Sequence, residues 1–359
     1  MQAAHETFDM LVDLEGHTGK RFAFISERTP RRDKLYKWIP VAPLRQVCFQ
    51  VLTALDMAAE AWRARDVDAF FIYEHKPWYS YLLYAVCVAR RKPVFFIVHG
   101  IQQTYRQSVV HRLGFAVLCK LERHGNFWPV HIERSDRQVP GVVPFSTSIF
   151  MRHPLPCDMA PRARAPLADR PVRIGIAGIM RKDKPIVPLL HALLRFRGEN
   201  ENVEIAVGTP LWQASPELLD MAKAASVSVV ETDKGPQYQD FIQSLDIIVA
   251  HFERDAFYFR PSGVVSDAIA GGCIVVAPAF PTIEAQMSQP VRCGESYEDL
   301  TDLPGALHRA IERLANSAER TARWRDLRAS ENILADLAAQ MAPVFDAEGA
   351  PARTAGAGG

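Results

Sequence analysis

Ser262, Gly263, Val264 and Asp267, within the run YFRPSGVVSDAIAGGCIVVAP (258–278), have the types and spacing to hold a nucleoside diphosphate. A serine placed just before an apolar helical period starts a helix by accepting free N–H groups. The glycine beside it lets a ligand approach the backbone, and the bare N-terminus attracts an anion, usually a phosphate. Asp267 follows Gly263 by four residues, one turn deeper on the same face, where a carboxylate can accept hydrogen bonds from ribose hydroxyls. Val264, Val265, Ala268 and Ile269 supply the buried side of this helix, Gly271 and Gly272 end it, and the apolar run 273–277 reads as a buried parallel strand stopped by Pro278. Arg260, just upstream, is a further cation expected to bind the same donor.

A second cationic set lies earlier in the chain. Val172–Ala177 reads as a strand, and the loop after it carries Gly178, Arg181, Lys182 and Lys184. Placed opposite the Ser262 helix, these side chains would meet the phosphates from the other side. Other strands are expected at 21–25, 68–73, 93–98, 203–207, 227–230 and 246–250, with helices at 5–14, 44–64, 79–89, 187–197, 303–316 and 318–344. Alternation of strand and helix at this spacing implies parallel βαβ units, which bind ligands beyond the carboxyl ends of their strands. Glu74, His75 and His99 fall at such ends; a histidine there is as often a plain hydrogen-bonded loop residue as a functional one. Asp66-Val67-Asp68 has the form of a metal-binding D-x-D, but it precedes its strand and reads as a turn.

The chain has 359 residues, of which 48% are apolar and 23% charged, enough for two domains each with its own core. Proline-rich composition between 152 and 171 marks a linker. The expected organisation is an amino-terminal α/β domain over 1–155, a linker over 156–171, a second α/β domain over 172–316, a closing helix over 317–345 and a disordered tail over 346–359. A formal net charge of +1 argues against a nucleic-acid binder. The six cysteines lack a C-x-x-C pair and suit reduced core thiols of a cytosolic protein, and no charge-free run reaches the ~20 residues of a spanning helix. Between residues 20 and 45, eight basic side chains face only Glu27 and Asp33, with Tyr36 and Trp38 interleaved. Such a segment fits either a solvated loop or peripheral contact with an anionic membrane or a lipid diphosphate.

The loop GIMRKDK and the run SGVVSDAIAGGCIVVAP together resemble glycosyltransferases of the GT-B fold, especially the large retaining family numbered four. The resemblance covers the second domain from about residue 172 to 316 and the first only in pattern. It implies two Rossmann-like domains facing across a cleft, the first lacking the strand and Gly-rich loop that the family carries ahead of the position of His5. It also implies transfer of a sugar from a nucleotide-diphosphate donor to a glycan or lipid-linked acceptor, in cell-surface polysaccharide assembly, with no cofactor and no metal. By the same resemblance Lys184 contacts the donor diphosphate, Arg181 substitutes for the family's arginine where this chain has Ile179, Asp267 takes the place of the ribose-binding glutamate, and His99 reaches the donor sugar. The family's earlier glutamate is Phe259 here, although some relatives carry a pattern like Tyr258 followed by Ser262-Gly263. Two other readings fit part of the pattern: a GT-B-type epimerase or non-catalytic sugar-nucleotide binder, and an NAD-dependent oxidoreductase suggested by Gly175-x-Ala177-Gly178, whose third glycine is absent.

Overall fold

The computed structural model describes residues 10–27, 39–98, 108–133, 145, 146, 148–155, 159–162, 166–179, 181, 183–233, 235–289 and 291–346. They form two compact units: an amino-terminal one of residues up to 132, the segment ending at Met151 and the chain from Ile333, and a carboxyl-terminal one of Glu133 and Arg152–Asn332. The last helix therefore returns to the amino-terminal unit, and the closing helix expected at 317–345 is two helices.

The amino-terminal unit contains α1 (Leu14–Thr18), β1 (Phe22–Ser26), α2 (Ala42–Arg63), β2 (Ala69–Glu74), α3 (Tyr81–Arg90), β3 (Val94–Val98), α4 (Val109–His124), β4 (Phe127–Ile132) and β5 (Ile149–Met151). Its five strands are parallel and lie in chain order, so among the described residues the sheet never reverses direction of winding. Right-handed crossovers in such a sheet put every connecting helix on one face. Met57 and Ala61 of α2, Leu83 and Cys87 of α3 and Phe115 and Leu118 of α4 accordingly share one core with Ile25, Phe70, Ile72 and Phe96. The opposite face, with Phe22, Phe71, Phe95 and Ile97, is covered by Met10, Leu11 and Leu14 and by Ile333, Leu337 and Met341 from the end of the chain. Edge strand β1 pairs only with β2, so its outer edge has no strand neighbour among the described residues.

Strands β4 and β5 escape a pattern reading. Pro129 within FWPVHI argues against an interior strand because it lacks an N–H. It is tolerated because β5 pairs only with Val130–Ile132, leaving Pro129 beyond the ladder on that side.

The carboxyl-terminal unit contains β6 (Val172–Ala177), α5 (Ile186–Glu199), β7 (Val203–Thr209), α6 (Pro216–Ala224), β8 (Ser228–Glu231), α7 (Gly235–Gln243), β9 (Ile247–Val249), α8 (Arg254–Phe257), α9 (Gly263–Ala270), β10 (Ile274–Pro278), α10 (Pro281–Ser288), β11 (Gly294–Tyr297), α11 (Leu303–Arg313) and α12 (Ser317–Asp326); helix α13 (Ser330–Asp346) then leads back to the other unit. Its parallel strands run β11-β10-β9-β6-β7-β8, with helices on both faces. This is the doubly wound order, and its direction reverses between β9 and β6. The proline-rich segment is packed onto this unit: Met159 is buried, Ala160 accepts a hydrogen bond of 2.6 Å from Gln243, and Pro161 lies against Gly272. All described cysteines are free, and Cys87, Cys119, Cys273 and Cys293 are buried.

His75 and His131 give the amino-terminal unit an acid-sensitive core. Burial, and for His75 also the nearby Lys76, pulls their pKa values down to about 3 and about 4. Both ring nitrogens of His75 lack a hydrogen-bond partner among the described residues, and its ring packs edge-on against Tyr84 and Phe96. An unfolded chain takes up these protons near pH 6.5, whereas the folded chain refuses them until the lower values. Stability is therefore complete above about pH 6.5 and falls as pH drops, by about 1.4 kcal/mol per pH unit for each imidazole. Urea denaturation between pH 7 and pH 4.5 should show this slope, and His75→Leu should reduce it by about one proton.

Candidate functional site

The reversal between β9 and β6 opens a crevice at the carboxyl ends of the two strands, and the expected site residues of this unit lie on the loops and helix that follow them. The loop after β6 and the loop after β9 are tied by the Glu253 N–H donating to the Asp183 carbonyl at 2.9 Å. Gly178 has φ +114°, a left-handed conformation in which a side chain is strained. A Cβ there would sit 3.3 Å from Val264 Cγ2 and 3.5 Å from Lys184 Nζ. The glycine thus lets the lysine head and the first turn of α9 converge.

Ser262 adopts the extended backbone of an N-cap (φ −119°, ψ 124°), but its hydroxyl makes no capping hydrogen bond. This corrects the role expected for the side chain. The peptide of Ser262 is held instead by the buried carboxamide of Gln286: the Ser262 N–H donates to Oε1 at 3.1 Å, and Nε2 donates to the Ser262 carbonyl at 2.9 Å. Gln286 Nε2 also donates to Ser266 Oγ at 2.7 Å. The Ser262 carbonyl additionally accepts from Val265 and Ser266, whereas the N–H groups of Gly263 and Val264 have no acceptor among the described residues. Two amides at the positive end of the helix are left for an anion.

Gln286 is itself gripped from behind. Its carbonyl accepts from Trp324 Nε1 at 3.0 Å and Arg328 Nη2 at 3.3 Å. Arg328 is fully buried, stacks 4.1 Å from the Trp324 ring centre and donates to both carboxylate oxygens of Glu133 at 2.9 Å. Glu133 accepts the His153 N–H at 2.8 Å, and His153 Nδ1 lies 3.0 Å from Ser266 Oγ, which closes the network on α9. Sequence reading missed all of these residues except Ser262, because Gln286, Arg328 and Glu133 are far apart in the chain.

Lys184 is half-buried beside Phe252 and Phe257, with Nζ 5.6 and 5.9 Å from their ring centres. Burial first, then the like charges of Arg181 and Arg260, pulls its pKa down to about 8 against the opposing pull of Asp183 and Asp267. Arg181 is exposed and paired with Asp183 at 3.1 Å, so binding a phosphate means exchanging one anion for another. Lys182 lies outside the described residues. Arg260 stacks 5.5 Å from Phe257, and Tyr258 packs against Phe259, Phe280 and the Arg254 guanidinium. Phe259, standing where the resemblance has a glutamate, brings no carboxylate.

Asp267 is positioned by a residue absent from the sequence reading: Tyr238 on α7 donates to its Oδ2 at 2.8 Å. Burial, followed by the Asp267 charge, holds the Tyr238 hydroxyl well above its ordinary pKa, so it remains a donor. His251, two residues after β9, was also missed. The Tyr297 hydroxyl donates to the Ala250 carbonyl at 2.8 Å, so His251 Nδ1 donates to that hydroxyl at 2.8 Å and leaves Nε2 as an acceptor at the crevice edge. His99 lies outside the described residues. Asp68, of the D-x-D sequence, caps the Arg21 N–H at the amino end of β2, away from any carboxyl-end site.

Gln286→Leu leaves the buried peptide of Ser262 half-satisfied and should cost about 2–4 kcal/mol of stability in chemical denaturation. Nucleoside diphosphate affinity should fall at least about tenfold in titration calorimetry. Because Lys184 must be protonated to hold a phosphate, that affinity should weaken as pH rises above about 8. Lys184→Arg should remove this alkaline limb, and Lys184→Met should weaken binding below about pH 8 and converge with the unmodified protein above it.

No protein-family model and no curated protein sequence matches the chain. Solved structures do. TarM of S. aureus, in a mutant form complexed with fondaparinux, alpha-GlcNAc-glycerol and UDP, aligns with TM-score 0.55 at 11% identity over 83% of this chain and 59% of TarM. A UDP-forming alpha,alpha-trehalose-phosphate synthase from Burkholderia xenovorans aligns with TM-score 0.55 at 12% identity over 84% and 79%. The pneumococcal O-GlcNAc transferase GtfA, complexed with UDP and GlcNAc, aligns with TM-score 0.54 at 9% identity over 82% and 60%. The chain spans 58% of the length of TarM as first matched. The arrangement of two parallel α/β sheets, the second doubly wound, together with these likenesses, identifies the chain as one with the GT-B fold, built from two Rossmann-like units.

Proposed function

We propose that the protein is a glycosyltransferase that moves a sugar, a hexose or hexose derivative, from a nucleoside-diphosphate donor to a glycan or lipid-linked acceptor in cell-surface polysaccharide assembly. One observation carries this reading: at the switch point of the second sheet, the unpartnered amides of Gly263 and Val264 face a convergence of Gly178 and Lys184, one turn above a carboxylate held by Tyr238. The amides and Lys184 suit a diphosphate, with Arg181, Arg260, Ser262 and Tyr258 around it, and Asp267 suits the ribose hydroxyls.

In this reaction the bond from the sugar C1 to the diphosphate oxygen breaks, and negative charge gathers on the departing diphosphate. The helix end and Lys184 lie where they can stabilise that charge. His99 is proposed to act at the donor sugar. The reaction then needs no organic cofactor, the nucleotide sugar being a substrate, and the cationic side chains take the role that a metal would otherwise fill. The free cysteines fit a cytoplasmic setting, and the basic run at 20–45 fits peripheral contact with the inner membrane face.

Phe259, in place of the glutamate, favours a second reading, a sugar-nucleotide binder without turnover or an epimerase of the same fold. Calorimetry with UDP, GDP, ADP and NAD separates these from an oxidoreductase: one nucleoside diphosphate should bind and NAD should not. Asp267→Ala should weaken the nucleoside about tenfold and leave inorganic pyrophosphate binding within about twofold. Transfer of radiolabelled sugar to lipid or glycan fractions, undiminished by EDTA, should follow; donor binding with no transfer to any fraction would leave the binder reading.

A further inference from the structure

The crevice groups that suit phosphates are all hydrogen-bond donors: the Gly263 and Val264 amides, Lys184, Arg181 and Arg260. Asp267 is an acceptor, but Tyr238 already engages it and it suits the ribose. A sugar hydroxyl needs an acceptor for its own proton, and Phe259 brings no carboxylate. The order of the helices tells where that acceptor has to be. Helix α9 is flanked by α7 on one side and α10 on the other, and Ile242, Val265 and Ile283 from the three helices share one core on one face of the sheet. The pair Tyr238 and Asp267 marks the α7 flank, and the bare amides mark the α9 start. A donor laid out as nucleoside, diphosphate and sugar therefore carries its sugar toward the opposite flank, that of β10, α10 and β11.

His251 stands on that flank. It follows β9 by two residues, and its ring reaches past the end of β10 to Tyr297, the last residue of β11. The two rings stack with centres 6.0 Å and planes 19° apart. Tyr297 ties three strand ends together: its hydroxyl donates to the Ala250 carbonyl at 2.8 Å, its carbonyl accepts from the Ala279 N–H at 2.9 Å, and its hydroxyl oxygen accepts from His251 Nδ1 at 2.8 Å. With the Tyr297 proton committed to Ala250, Nδ1 carries the imidazole hydrogen and Nε2 is an unprotonated acceptor, with no hydrogen bond among the described residues. Burial holds the ring below its ordinary pKa against the upward pull of Glu253, so the acceptor persists at neutral pH. The same loop forms the phosphate side of the crevice, since Phe252 lies 5.6 Å from Lys184 Nζ and the Glu253 N–H donates to the Asp183 carbonyl.

We propose that His251 Nε2 accepts a hydrogen bond from a hydroxyl of the donor sugar, with Tyr297 as the positioning residue that fixes its tautomer and ring plane. The assignment rests on the glycosyltransferase reading and adds to it a residue that recognises the sugar. The measurement is the affinity for a nucleotide sugar relative to that for its own nucleoside diphosphate, by calorimetry with UDP and UDP-glucose, GDP and GDP-mannose, and ADP and ADP-glucose. For the pair that the unsubstituted protein favours, His251→Ala should lower this ratio about fivefold, as the loss of one neutral hydrogen bond does, and leave the nucleoside diphosphate within about twofold. His251→Gln, whose side-chain carbonyl can take the place of Nε2, should restore part of the ratio. Tyr297→Phe should lower it with unchanged circular dichroism, and Glu253→Gln, which neutralises the exposed carboxylate nearby, should leave it as it was. A ratio unaltered by His251→Ala, or lost in Glu253→Gln instead, overturns the proposal and leaves the diphosphate site standing. So does a ratio near one for all three pairs in the unsubstituted protein. Failure of every nucleoside diphosphate to bind sinks the donor-site reading itself, and the assignment of His251 with it.

Discussion

A helix start that binds phosphate must keep its amides unpaired and still be held still. In this chain the pairing of the Gln286 carboxamide with the Ser262 peptide meets both demands. A capping hydroxyl would consume one of the amides that this helix start leaves open. Gln286 approaches from the buried side, engages the peptide just before the helix and leaves the Gly263 and Val264 N–H groups alone. A buried amide is costly unless every polar atom is satisfied, and here Nε2, Oε1 and the residue's own carbonyl all have partners. The rest of the carboxyl-terminal unit is built back from that point: Trp324 and Arg328 hold Gln286, Glu133 holds Arg328, and His153 returns the network to Ser266.

The polar site sits in a unit whose sheet reverses direction, and the described sheet of the amino-terminal unit does not. Both arrangements follow from the same handedness rule. Reversal at β9 and β6 places helices on both faces and opens a crevice between two diverging loops. Winding in one direction places α2, α3 and α4 on one face with their starts along one edge, and requires the other face to be covered from distant parts of the chain. Leu337 and Met341 provide that cover, which explains why the last helix leaves the unit it follows in sequence.

Within the crevice, like charges share a small partly apolar space. Arg181 and Arg260 raise the cost of protonating Lys184, with Asp183 and Asp267 as counterweights. A site of this kind favours an anion of high charge, since a diphosphate relieves the mutual repulsion of all three cations at once.

Local pattern was enough to recognise the α/β class, most of the strands, the helix start at Ser262 and Gly263, and the cationic loop after β6. Each depends on residues within about seven positions of one another, where periodicity and turn chemistry speak directly. Asp267 was legible for the same reason; Tyr238, which orients it, lies 29 residues away and left no local signal. Strand β4 was hidden by Pro129, which only the short pairing of β5 makes acceptable. Tertiary structure alone decided that Gln286 and not the Ser262 hydroxyl holds the helix start, that Arg328 and Glu133 stand behind it 195 residues apart in the chain, and that the final helix closes the first sheet. These are contacts between side chains brought together by burial, and burial depends on which surfaces meet after the chain has wound, which the spacing of residues along it does not state.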